Sequence, residues 1–188
     1  MVKVYVVRHG ESVTNAAKRW TGWIDTPLTQ KGIDDAKKAS AILKGIDFDK
    51  AFSSDLCRAV QTAETALPES KAEKCELLRE IHVGSLENTL IADLTDEQRA
   101  DVFENGYKNF GGESRAEFYD RIKTFTDKLE KLNLENVAVF SHGGWLCGML
   151  SQVFGVYVPR KNLLCNNCTV AIFEYQNKNW RLHSWINL

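Results

Sequence analysis

The run Val4-Tyr5-Val6-Val7 ends abruptly in Arg8-His9-Gly10-Glu11-Ser12. An unbroken apolar stretch of β-branched and aromatic residues suits a buried strand, expected here from about Lys3 to Val7. A buried strand that stops on a cation, an imidazole and a glycine delivers two reactive side chains to its carboxyl end. In an open α/β sheet that is where ligands bind. The rest of the chain reads as the means of bringing a second histidine, a second arginine and an acid to the same place.

Strand and helix patterns alternate along the chain. A short helix is expected over Glu11 to Lys18, then a loop from Trp20 to Leu28 punctuated by Gly22 and Pro27. Thr29 is a good N-cap for a helix with the apolar stripe Ile33, Ala36, Ala39 and Leu43, ended by Gly45. Ala51 and Phe52 mark a second strand, and Asp55 is expected to cap the following helix, which runs through Leu67. A short third strand is expected between Glu73 and Leu78. From about 78 to 112 the pattern weakens to one capping box, Thr95 to Gln98, and the stretch reads as a small helical excursion over the sheet. A second capping box, Ser114 to Glu117, opens a helix with Phe118, Ile122, Phe125, Leu129 and Leu132 on one face. Val137 to Phe140 is a buried strand running into Ser141-His142-Gly143-Gly144, and a helix with Leu146, Met149, Leu150 and Val153 inward follows it. Two last strands, Thr169 to Tyr175 and Trp180 to Trp185, form a C-terminal β-hairpin. The expectation is one α/β domain over 1–188, with a mainly parallel central sheet and helices on both faces.

Three exits then share one sheet edge: Arg8-His9-Gly10, the helix start that carries Arg58, and His142-Gly143. Two imidazoles and two guanidiniums facing one pocket call for an anion, and the planar fork of arginine suits phosphate or carboxylate. The glycines after each histidine are expected to let the backbone approach the ligand. Imidazole is neutral near pH 7 for a large share of the time, which suits a nucleophile for a phosphoryl group. A second, protonated histidine would share charge with the arginines over the phosphoryl oxygens. The leaving oxygen needs a proton from a carboxylic acid, for which Glu11 and Glu80 are the candidates. Tyr107 and Phe110 are candidates to line the pocket. His82 is a candidate rim residue, and His183 reads as a strand residue.

A net charge of −1 gives no general attraction to nucleic acid or to an anionic membrane. No apolar run is long enough for a membrane span and the start lacks a secretory pattern, so a cytoplasmic protein is expected. The five cysteines then read as free thiols, and the lone Cys165-x-x-Cys168 reads as structural rather than as a redox pair or half a zinc site.

Arg8-His9-Gly10-Glu11-Ser12 with Asn15 resembles the signature of the histidine phosphatase superfamily, the phosphoglycerate-mutase-like proteins. Further segments, in order, are similar to those of that family: Thr21-Gly22-Trp23 with Pro27-Leu28-Thr29, Ser53 to Ala63 around Arg58, Leu78-Arg79-Glu80-Ile81 with Gly84, Gly111 to Ser114 with Arg121, and Ser141 to Gly144. The resemblance implies that His9 becomes phosphohistidine. It implies that Arg8, Arg58 and His142 bind the phosphoryl oxygens, with Asn15 and the Gly143 backbone assisting. Thr21 and Gly22 would lie in the substrate loop, and Glu80 would be the general acid and then the base for water. It implies no metal and no cofactor, with a small phosphate ester as substrate.

The favoured activity is a phosphomonoester hydrolase. The runner-up is a mutase, which alone would need 2,3-bisphosphoglycerate. Thr21-Gly22-Trp23 leans towards the mutases. The sparse cations of the excursion (Arg99, Lys108 and Arg115) and the short chain lean away from them. Leu86-Glu87-Asn88 departs from the Trp-Glu-Gly common in phosphatase relatives. A non-catalytic phosphate-binding module and a metal site from His9 and His142 are the remaining alternatives.

Overall fold

The computed structural model describes all 188 residues. Its six strands are β1 (Val2–Arg8), β2 (Lys50–Ser53), β3 (Glu73–Lys74), β4 (Asn136–Ser141), β5 (Val170–Gln176) and β6 (Asn179–Ile186). They form one sheet in the order β3-β2-β4-β1-β5-β6. The first four in that order are parallel neighbours, and β5 and β6 add an antiparallel edge. The expected α/β class and C-terminal hairpin are therefore present. No helix is long and apolar enough to cross a membrane.

Two apolar layers cover the sheet, as the two-residue period of a strand dictates. Val2, Val4 and Val6 of β1 face one layer, where α5 (Arg115–Glu130) and α6 (Gly143–Phe154) supply Ile122, Phe125, Trp145 and Leu146. Val7 faces the other, against Ala36 and Ala39 of α2 (Gln30–Leu43) and Ala63 of α3 (Cys57–Ala66). The small alanines let α2 and α3 lie close to the sheet. Residues 78–112 build a separate small cluster of Val83, Leu86, Leu94 and Tyr107. Their one regular helix, α4 (Asp96–Asn105), buries none of its residues.

Three local expectations are corrected. The first helix, α1, is only Val13–Ala16, because Ser12 caps it in a box with Asn15 and the chain leaves the helix at Lys18, whose φ is +54°. Asp55 does not cap α3: the guanidinium of Arg79 holds its carboxylate with two N–H groups. The Cys57 amide at the start of α3 instead donates to Asp25 Oδ1 at 2.6 Å, a residue 32 positions earlier in the loop after α1. The third strand stops at Lys74, since residues 76–78 coil into a 3₁₀ turn that buries Leu78 and turns Arg79-Glu80 towards the sheet edge.

Candidate active site

β2, β4 and β1 are adjacent and parallel, so their carboxyl ends share one edge. The ladder continues into the loops: the His9 amide donates to the Ser141 carbonyl at 2.9 Å and the Ser54 amide to the Phe140 carbonyl at 2.8 Å. This fixes the corners that carry the reactive side chains before any ligand arrives. The His9 and His142 rings stand with centroids 5.0 Å apart, and both residues are buried.

His9 Nδ1 lies 2.6 Å from the Gly10 carbonyl oxygen. A carbonyl only accepts, so Nδ1 is the protonated nitrogen of the neutral ring and Nε2 carries the lone pair. Burial, then the charges of Arg58 and Arg8, push the His9 pKa well below the ordinary 6.5. His142 is depressed in the same way, by burial and then by Arg58. Burial and the neighbouring guanidiniums thus hold both rings neutral at pH 7, against the expectation of a protonated second imidazole. His142 Nε2 meets Ser54 Oγ at 2.9 Å.

Arg58 is fully buried, and it donates to the carbonyls of Gly22 (2.8 Å) and Ile24 (2.9 Å), tying the loop after α1 to α3. Arg8 donates to the Cys165 carbonyl at 2.5 Å. Burial lowers both guanidinium pKa values to about 10, which leaves both charged at pH 7. Four buried side-chain nitrogens lack a hydrogen-bond partner: Arg8 Nε, Arg58 Nε, His142 Nδ1 and Trp20 Nε1. Buried polar atoms are normally satisfied, so three unpaired donors and one unpaired imidazole nitrogen on residues of this one region fit a polar ligand.

Glu80 and His9 both line a cleft of about 450 Å³. Its Oε2 accepts from the Gly144 amide at 3.0 Å and its Oε1 from the Ile81 amide at 2.9 Å. Glu11, the other candidate acid, is outside the cleft and accepts from Thr29 Oγ1 instead. Asn15, Thr21 and Gly22 line the cleft. Asn15 Nδ2 donates weakly to Thr21 Oγ1 at 3.4 Å. Tyr107 lines the cleft, whereas Phe110 packs in the small cluster of the excursion. His82 stacks on Trp23 at 4.6 Å rather than lining the cleft, and His183 is exposed on β6.

Gly10 faces α2 rather than the ligand: a Cβ there would lie 2.4 Å from the Gly32 carbonyl oxygen. Gly143 and Gly144 admit side chains instead, those of Arg160 and Glu80. Asn167 and Arg160 escaped the sequence reading. Asn167 Nδ2 donates to the His9 carbonyl at 3.1 Å, and the Cys168 backbone amide donates to the Arg8 carbonyl at 3.1 Å. The Cys165-x-x-Cys168 stretch thus clamps the Arg8-His9 corner through backbone and Asn167, with both thiols free and buried. No group of three or more metal-ligating side chains is present.

A family profile described as histidine phosphatase superfamily (branch 1) matches residues 4–188. The chain belongs to the histidine phosphatase superfamily. Within it, the chain is 33% identical over 200 residues to "Probable phosphoglycerate mutase GpmB" of Proteus mirabilis, across 99% of this chain and 91% of that protein. The phosphoglycerate mutase structure from Thermus thermophilus superposes with a TM-score of 0.77 at 29% identity, covering 100% of this chain and 99% of that one. An Escherichia coli structure described as "a putative alpha-ribazole-5'-P phosphatase" superposes at 0.86 with 25% identity, covering 100% and 98%. Superfamily relatives of both names thus share the whole fold.

The Leu86-Glu87-Asn88 stretch has a defined shape of its own. Asn88 has φ +62°, the left-handed region that asparagine tolerates better than other side chains. Glu87 Oε1 accepts from the Trp23 amide at 2.7 Å, which fixes the loop of Thr21 and Gly22 from outside.

Proposed function

We propose that this superfamily member is a metal-independent phosphomonoester hydrolase that works through a phosphohistidine at His9. The observation that carries the reading is the His9 tautomer, with Nδ1–H spent on Gly10 and the Nε2 lone pair left free in a cleft that Arg8, Arg58 and Glu80 also line. In the first step His9 Nε2 bonds to phosphorus, the P–O bond to the ester breaks, and Glu80 gives the departing oxygen its proton. In the second, water bonds to phosphorus, Glu80 takes a water proton, and the N–P bond breaks to release phosphate and His9. Arg8 and Arg58 hold the phosphoryl oxygens throughout. His142, Asn15 and the Gly143 amide assist as neutral groups, and Thr21 and Gly22 shape the loop opposite.

Water must reach the phosphohistidine, and an α4 that buries none of its residues is a poor seal. This supports the hydrolase over the mutase. A second reading as a mutase has one observation behind it. The cleft is richer in cations than the excursion alone suggested, because Arg19 and Arg160 join Arg115 from outside it.

The test is phosphate release from 4-nitrophenyl phosphate in excess chelator, with wild-type protein and His9→Ala. The expected result is release by the wild type, with acid-labile, base-stable label on the protein, and none from His9→Ala. Full activity of His9→Ala overturns the reading. Conversion of 3- to 2-phosphoglycerate that requires 2,3-bisphosphoglycerate and outpaces hydrolysis replaces it with the mutase.

A further inference from the structure

Five arginines line the cleft (Arg8, Arg19, Arg58, Arg115 and Arg160) against one carboxylate, Glu80. None of the five has a carboxylate within 4.0 Å. Arg19 and Arg115 are tied to the carbonyls of Asn88 and Phe103, and Arg115 also stacks on Tyr157 at 4.2 Å. Arg160 differs from all of these: its guanidinium makes neither a hydrogen bond nor an ion pair.

Its position is nevertheless narrow. A Cβ on Gly143 would lie 2.6 Å from Arg160 Nη1, 2.7 Å from Cζ and 2.9 Å from Nη2. Three nearly equal separations mean that the guanidinium plane lies flat against the first turn of α6, beside the strand end that carries His142. A helix N-terminus repels a cation, and the Arg160 charge also bears on Arg8, where it is the largest cause after burial of the lowered pKa. A solvated side chain free to choose would turn away from both. The segment that carries it is pinned on either side: the Val158 amide donates to Ser151 Oγ at 3.0 Å, and the Cys165 carbonyl receives Arg8. Between these points a 3₁₀ turn, Arg160–Asn162, follows Pro159, and its first residue lines the cleft.

We propose that Arg160 is a third guanidinium for the transferred phosphoryl group, supplied from the segment between α6 and β5 rather than from the sheet edge. This rests on the phosphohistidine reading above. With both imidazoles neutral, the cations that can meet the three equatorial oxygens are guanidiniums, and a third places charge on the side that Arg8 and Arg58 leave to the α6 N-terminus. Arg160 exchanges no proton. It holds the oxygens while the P–O bond breaks and again while the N–P bond breaks.

The test compares wild type, Arg160→Ala and Arg160→Lys, first for binding of inorganic phosphate by calorimetry and then for turnover of 4-nitrophenyl phosphate. The residue is exposed, so all three proteins are expected to share one thermal midpoint. Arg160→Ala is expected to weaken phosphate binding about 10- to 100-fold and to lower kcat/KM by at least as much, with part restored in Arg160→Lys. Lysine keeps the charge and loses the fork. Phosphate binding within twofold of wild type overturns the proposal. So does a loss confined to esters whose leaving group bears a second negative charge, since Arg160 would then serve the leaving group. If the wild type binds phosphate but turns nothing over, the hydrolase reading fails while the phosphate arm still decides the place of Arg160.

Discussion

Glu80 is held by a missing side chain. A methyl group on Gly144 would come 2.1 Å from Glu80 Oε1 and 3.0 Å from Cδ, while the Gly144 amide is bonded to Oε2 at 3.0 Å. Ordinary contact begins near 3.4 Å, so Gly144→Ala must drive the carboxylate back by roughly 1 Å and break its bonds to the Gly144 and Ile81 amides. A displacement of that size at a reacting group costs on the order of 10²-fold in rate, about 3 kcal/mol of barrier. Gly144 lies in the first turn of α6, where alanine favours the helix by up to about 1 kcal/mol, so the thermal midpoint should hold or rise. The assay is kcat for two esters of different leaving group. An alkyl phosphate needs the Glu80 proton and should lose about 10²-fold. An aryl phosphate with an acidic phenol needs it less and should lose several-fold less. Equal losses on both esters, or an alkyl rate within threefold of wild type in a folded protein, would refute the assignment of Glu80 as the acid.

Three further outcomes follow from the geometry. Asp25→Ala removes the cap of α3 and should cost about 1 kcal/mol, or roughly 3 °C in Tm, with a raised KM because the same loop carries the carbonyls that anchor Arg58; a Tm unchanged within 1 °C contradicts it. Asn88→Gly should be neutral or stabilising, whereas Asn88→Val should cost on the order of 1–2 kcal/mol at φ +62°; urea midpoints decide. His9 and His142 are held neutral in the fold, with folded-state pKa values below the 6.5 of the unfolded chain. Below pH 6.5 the unfolded chain therefore binds protons that the fold refuses, so stability is full above that pH and is lost as pH falls, until the folded-state values are reached. Tm followed downward from pH 7.5 should drop, and inorganic phosphate should lessen the drop; a flat profile contradicts the buried neutral pair.

The sheet and its edge were legible because they depend on local pattern. β1 and β4 are apolar runs stopped by His-Gly, and parallel pairing follows from the helices between them. The Thr29, Thr95 and Ser114 caps were readable for the same reason, since each lies within three residues of the amide it serves. What escaped was settled by residues distant in the chain. Asp55 has the right chemistry for a cap, but Arg79 competes for it from 24 residues away, and Asp25 takes the work from 32. Asn167 and Arg160 sit in a stretch without periodicity, and their value comes from what they meet: the His9 carbonyl and the face of Gly143. In sequence the glycine after His9 suggests clearance for a ligand, and in the fold it is clearance for α2, a distinction that no pattern within the segment carries.

The charge state of the cleft was also beyond local reading, and it bears most directly on the chemistry. The sequence invites a picture of three cations around a phosphate, two guanidiniums and one imidazolium. Burial removes that option. The imidazole pKa starts near 6.5, so a downward push leaves the ring neutral at pH 7. A guanidinium starts near 12.5, and the same push stops at about 10 with the charge intact. One desolvating environment therefore sorts the two residue types into separate roles: arginines that stay charged, and a histidine that offers a lone pair without first losing a proton. Replacing Arg58 by lysine tests the sorting. A buried ammonium starts lower than a guanidinium, lacks the fork, and reaches one loop carbonyl where Arg58 reaches two. Hence kcat/KM should fall and its basic limb should move to lower pH than that of the wild type, whose guanidiniums hold their charge up to about 10, and a variant with the wild-type pH profile would show that the environment does not discriminate in this way.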